Sequence, residues 1–160
     1  FVQLISGSWR FLSAENVSPT SRSEYLVAGY PAATIKKVNG MLLPHKGLTQ
    51  LYTGPYSGAI EGTRAASDIF LRFSRNAEGP YGGEVPTPEL EGLSGASVWA
   101  IDQSKGGVWA PDSLLKIAGI QVSYVHARYV RAKSWQLVLE VIKRADPEAA
   151  TSFTGQAHAT

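Results

Sequence analysis

Along most of this chain apolar and polar residues alternate with a period of two, the mark of half-buried strands. Glu24 to Tyr30 (EYLVAGY) reads as a strand, and Pro31 stops it. Ala33–Val38 and Leu48–Thr53 are expected strands, with Asn39-Gly40 as a turn between them. Asp68–Phe73, Val98–Ile101, Leu114–Val125 and Tyr129–Ala132 follow the same pattern. Phe1–Ile5 reads as the end of a strand and Trp9–Leu12 as a short apolar piece. Ser13–Arg22 is polar, carries Pro19 and reads as a linker. Gly54–Ala66 and Asn76–Glu91 lack periodicity and read as loops, the second long and rich in Gly and Pro. Asp102–Asp112 connects two strands, with Gly106-Gly107 at its turn.

The period changes once, near the end. Trp135, Val138, Leu139 and Ile142 recur at helical spacing, and Glu140, Lys143 and Arg144 take the other face. Ser134 suits the N-cap and Pro147 lies just past the end. The apolar stripe is expected to pack on the body of the domain. Glu148–Thr160 is small and polar, and a disordered tail is expected there. The pattern predicts an all-β domain of six or seven short strands, a barrel or a sandwich, followed by one amphipathic helix.

Composition narrows the function classes. Of 160 residues, 44% are apolar, enough for a core, and only 18% are charged. The net charge of +2 comes with no basic block, so nucleic acid is not an expected partner. Cysteine is absent, which excludes disulfides and thiolate metal sites and leans towards a reducing, cytoplasmic setting. No His, Asp and Glu cluster has metal-ligand spacing, and neither metal nor cofactor is expected. No run approaches a membrane-spanning length, and Phe1–Phe11 lacks the basic start and apolar middle of a signal peptide. A membrane is therefore not an expected partner.

One stretch carries chemistry. In Pro86–Asp102 (PTPELEGLSGASVWAID), Ser94 lies between glycines, behind a proline-bearing loop and ahead of an apolar β-prone run. Glycines allow backbone conformations that side chains forbid. They also let two N–H groups converge on one point, as stabilisation of an oxyanion requires. The same string suits a plain Gly/Ser turn leading into a strand.

Four segments, in order, resemble the C-terminal half of a trypsin-like (chymotrypsin-fold) serine peptidase of the disulfide-free bacterial kind. Leu26-Val-Ala-Gly-Tyr-Pro31 looks like the strand that opens the family's second barrel. Gly92-Leu-Ser-Gly-Ala-Ser97 is similar to the nucleophile motif, with Ala96 in place of its second glycine and Ser97 in place of its proline. The second of these departures is expected to loosen the turn. Ile117-Ala-Gly-Ile-Gln-Val-Ser-Tyr124 resembles the strand beside the substrate, and Trp135 onward the closing helix.

The resemblance implies a six-stranded antiparallel β-barrel closed by a C-terminal helix. It makes residues 24–146 that barrel, 1–23 the end of a first barrel with its linker, and 147–160 the tail. Ser94 would be the nucleophile, and the N–H groups of Gly92 and Ser94 the oxyanion hole. Pro88 would sit at the base of the specificity pocket, where the absence of an acid predicts no preference for basic residues. Val122-Ser123-Tyr124 would wall that pocket and pair with the substrate backbone. The family's serine position in that strand falls on Val122 or Ser123.

A serine needs a base to take its proton. In this family the base is a His oriented by an Asp, and both belong to the first barrel. Phe1–Leu4 looks like the strand just after that Asp, so the chain is expected to start too late to hold either residue. His45, His126 and His158 read as exposed surface residues, and Asp68 and Asp102 as turn or strand-end residues. The expected partners are a peptide or protein substrate and the first barrel, on this chain or another. An α/β-hydrolase elbow also matches Gly92–Ala96, but it needs a strand before it and a helix after it. A catalytically inactive peptidase-like barrel acting as a binding or scaffold module is the alternative function.

Overall fold

A computed structural model of the chain describes residues 24–32, 35–44, 49–60, 62, 65–79, 81–101 and 114–148. The expected strands at Phe1–Ile5 and Trp9–Leu12, the linker, the whole 102–112 connection and the tail from 149 lie outside the described residues. So do His45, Asp102 and His158.

The described chain is mostly β. Its strands are β1 (Tyr25–Gly29), β2 (Ile35–Val38), β3 (Met41–Pro44), β4 (Thr49–Thr53) and β5 (Asp68–Arg72). They continue with β6 (Asn76–Glu78), β7 (Glu84–Pro86), β8 (Ser97–Ile101), β9 (Leu115–Val125) and β10 (Tyr129–Ser134). Six of them form one antiparallel sheet in the order β4-β1-β8-β9-β10-β5, and β2-β3 and β6-β7 are separate hairpins. The β2-β3 turn is Asn39-Gly40, both with positive φ (50° and 80°), the geometry that matches the twist of two paired strands.

The sheet curls into a half-barrel rather than closing. Its two edge strands, β4 and β5, share no ladder. They meet at one isolated bridge, Pro55 to Leu71, flanked by Tyr56 N–H to Phe70 O and Arg72 N–H to Gly54 O, each 2.9 Å. The Thr53 hydroxyl takes the Arg72 carbonyl at 2.6 Å, the acceptor that a continued ladder would offer to Gly54. A cavity of about 430 Å³ opens at this seam, lined in part by Tyr52, Arg72, Asn76 and Thr87.

The core fills the concave side. Tyr25, Val27, Leu71, Phe73, Leu90, Val98 and Val130 are each at most 2% exposed. The stretch expected as one long loop, Asn76–Glu91, contains the β6-β7 hairpin. Its strands are three residues each, too short for alternation to register.

The helix, α1 (Trp135–Ala145), begins where expected: Ser134 Oγ accepts from Leu137 N–H at 3.4 Å. It packs on β9 and β10, yet none of its residues is fully buried, so its apolar stripe is half covered. Among the described residues no helix is long and apolar enough to cross a membrane.

Candidate functional site

The Ser94 bend is built from two consecutive reverse turns. Leu93 N–H bonds Leu90 O (3.0 Å) and Ala96 N–H bonds Leu93 O (2.9 Å). The third residue of each turn is a glycine with positive φ, Gly92 at 79° and Gly95 at 95°, while Glu91 and Ser94 keep negative φ. That combination is a type II turn, which needs glycine at its third position. A Cβ on Gly92 would also lie 2.8 Å from the Ala32 Cβ and 3.0 Å from its nitrogen.

Two leucines hold the bend down. Leu90 and Leu93 are 1% and 3% exposed, and each buried leucine contributes roughly 1.5–3 kcal/mol. Three backbone bonds clamp the sides: Ala32 N–H to Glu91 O (2.7 Å), Gly95 N–H to Gln121 O (2.9 Å) and Gln121 N–H to Ala96 O (2.9 Å). Ser94 is exposed on the bend, and among the described residues its Oγ reaches only Val122 O, at 3.4 Å.

The donors around it divide in two. The N–H groups of Leu93, Gly95 and Ala96 are spent on the bonds above. Those of Gly92 and Ser94 donate to no acceptor among the described residues.

Both departures from the nucleophile motif are accommodated. Ala96 packs against Gly29, where a Cβ would lie 2.7 Å from the alanine methyl. Ser97 does not loosen the turn. It opens β8, paired with Ala28 and Ile120, and its Oγ accepts from Trp99 Nε1 at 2.8 Å.

The β9 side of the site depends on a bulge. Arg131 pairs with Ser123 and Ala132 with Gln121, so Val122 is the extra residue. Bulges re-aim groups next to sites, and this one presents Val122 O to the Ser94 hydroxyl. Ser123 is exposed beside it. Tyr124 leans on the core through Phe73, edge to face with ring centroids 5.8 Å apart. Pro88 is exposed and lines a cavity of about 160 Å³ between β4 and the β6-β7 hairpin, together with Leu51, Val85 and Leu90.

Sequence reasoning missed a second constellation. Glu89, itself exposed, accepts a bond from the Tyr124 hydroxyl at 3.0 Å. The His126 Nδ1 lies 3.5 Å from its other oxygen, with side-chain exposures of 44% and 63% for His126 and Glu89. His126 also stands edge to face on Phe73. Burial, then the bond to Glu89 and the charges of Glu89 and Glu91, push the Tyr124 hydroxyl above its ordinary pKa. No local pattern signals this grouping, because Glu89 and His126 are 37 positions apart and meet only through tertiary structure.

His126 and Glu89 have the make-up of the rest of a Ser-His-acid triad, but they do not complete one with Ser94. His126 lies in the turn after β9 and faces Glu89, while Ser94 Oγ bonds Val122 O and makes no bond to either among the described residues. Gln121 is the other surprise: it is 1% exposed beneath the bend, and its Oε1 has no partner among the described residues. No model of a known protein family matches the chain, and no curated protein matches it either.

Proposed function

We propose that this domain is the nucleophile-bearing half of a trypsin-like serine endopeptidase, the curled sheet being the counterpart of that family's second barrel. The observation that carries the reading is the pair of N–H groups at Gly92 and Ser94 that have no acceptor among the described residues, beside an exposed hydroxyl on a bend where the N–H groups of Leu93, Gly95 and Ala96 are spent. Rigid donors left free at that spacing are what a developing oxyanion needs. Ser94 Oγ attacks the scissile carbonyl carbon and gives its proton to a base, and the carbonyl oxygen becomes the anion held by the two N–H groups. The carbon–nitrogen bond then breaks as the base returns the proton to the leaving amine. Water hydrolyses the acyl ester on Ser94 by the same steps.

The base is supplied from upstream of Phe1 or by another chain, and the 160-residue chain alone is very weak or inactive. The long 3.4 Å contact from Ser94 Oγ to a carbonyl, with no bond to His126, also suits the second reading, a binding or scaffold module without catalysis.

A fluorophosphonate probe applied to the intact protein, with any upstream chain present, separates the two. Labelling that Ser94→Ala abolishes supports the peptidase. An unlabelled native protein favours the module. Ser94 is exposed and weakly bonded, so the variant is expected to unfold within about 0.5 kcal/mol of the native protein.

A further inference from the structure

We propose that the open edge of β4 receives an extended peptide segment of a partner protein as an added strand, and that this segment carries a Lys or Arg that meets Glu78 and Glu84. The site is separate from the Ser94 bend and does not depend on the peptidase reading. Neither Ser94 nor Val122–Tyr124 lines the groove in which it lies.

The ladder fixes which backbone groups are open. Ile101 N–H donates to Glu24 O at 3.0 Å, so the even-numbered residues of β1 face β8 and the odd-numbered ones face β4. Tyr25 pairs with Thr53, Val27 with Leu51 and Gly29 with Thr49, which commits those three β4 residues to β1. The N–H and C=O groups of Gln50 and Tyr52 therefore face the other way, and they have no partner among the described residues. Gly54 is in the same phase, and its carbonyl turns that way to accept from Arg72 N–H. Beyond that bond β5 leaves the edge. Two donors and two acceptors remain, on residues about 7 Å apart along the strand, the spacing that a second strand matches. Such an edge is a template for strand addition.

The space beside the edge fits an occupant. Cavities of about 430 and 160 Å³ run along β4 from the β5 seam to the β6-β7 hairpin, and Leu51, Ala77, Glu78 and Thr87 line both. Thr87 is 9% exposed, and its Oγ1 has no hydrogen-bond partner among the described residues. A polar group of the ligand would relieve that unmet hydroxyl. Glu78 stands directly opposite Glu84 in the β6-β7 ladder, and like charges so placed repel. Both are exposed, so a cationic side chain can reach them. A second copy cannot supply that charge from its own β4, whose sequence is TQLYT. Charge complementarity thus points to a different chain.

Amide hydrogen exchange of the chain, followed by NMR, tests this with two acetylated hexapeptide amides. One is threonine-valine-lysine-valine-threonine-valine, and the other has glutamate in place of lysine. The Gln50 and Tyr52 amides are expected to exchange freely in the unliganded chain and to slow at least about tenfold on saturation with the lysine peptide. The glutamate peptide should bind at least about tenfold more weakly, and Glu78→Gln combined with Glu84→Gln should remove that preference. Gln50→Pro takes away an edge N–H without breaking a β1-β4 bond, and should weaken the lysine peptide at least about tenfold. The charge variant reads the same site if the proline variant fails to fold.

No slowing with either peptide, or equal binding of both, overturns the proposal. Protection of the two amides without peptide overturns it as well. Protection that rises with protein concentration would place a second copy on the edge, and protection independent of concentration a segment of the same chain. Fluorophosphonate labelling of Ser94 bears on the peptidase reading alone.

Discussion

Two polar clusters lie on the same sheet, and they treat their polar groups in opposite ways. At the start of β5, the Asp68 carboxylate is fully buried and paired. Arg131 Nη2 lies 2.8 Å from Oδ2 and Lys133 Nζ 2.6 Å from Oδ1, and the Ala65 N–H donates to Oδ2 at 2.9 Å. At the Ser94 bend, two N–H groups have no acceptor among the described residues and the hydroxyl belongs to an exposed residue, although the glycines that form the bend are clamped on both sides. The first arrangement is what a buried charge needs merely to be tolerated. The second costs little in stability because Gly92 and Ser94 are exposed residues, and it leaves donors free for a ligand. The contrast separates polar groups that hold the fold from polar groups that are available for chemistry.

The largest expected effect on stability comes from the paired cluster. Burial alone raises the pKa of Asp68, but the bonds from Arg131, Lys133 and Ala65 outweigh it and hold the carboxyl at about 2 instead of 3.8. A depressed folded-state pKa contributes stability that is fully present above the unfolded value and is lost as pH falls through the folded one. Stability is therefore expected to drop by about 2 kcal/mol between about pH 4 and pH 2. Asp68→Asn should lose a similar amount at pH 7 and should flatten that part of the profile. Urea unfolding across pH checks both, and a variant that keeps the full acid slope would remove Asp68 from the account.

The bend should answer differently. Gly92→Ala forces a side chain into φ 79° and against Ala32, a cost of roughly 1–2 kcal/mol from the left-handed conformation before any clash. Its fluorophosphonate reactivity should fall far more than its stability, because relaxing the strain turns the Gly92 N–H away. Equal losses in both measurements would make the bend a structural turn like any other.

The smallest effect concerns the loop that carries His126. Ala127 has φ 56° in the turn closed by Arg128 N–H to Val125 O, a conformation glycine adopts without strain. Ala127→Gly is expected to raise stability by up to about 1 kcal/mol, since relief of strain exceeds the entropy that glycine adds to the unfolded chain. Thermal unfolding measures it, and a loss of stability would show that the loop is not strained.

The sequence alone determined the local elements. Alternation placed β1, β4, β5, β8, β9 and β10 within a residue or two, because each buries one face and exposes the other. Helical spacing and a serine cap located α1; Asn39-Gly40 is a turn as expected, but it leads into β3, which alternation missed, and not into the expected Leu48–Thr53 strand, which pairs with β1. Glycines on both sides of Ser94 announced its bend, because the positive φ values there need residues without a Cβ. Tertiary structure decided what those elements do together. Neither the half-closure of the sheet, whose edge strands meet at one bridge, nor the presentation of Val122 O on a one-residue bulge has a local signature. The grouping of Glu89 with Tyr124 and His126 is long-range for the same reason: a contact between residues far apart in sequence leaves no periodicity to read.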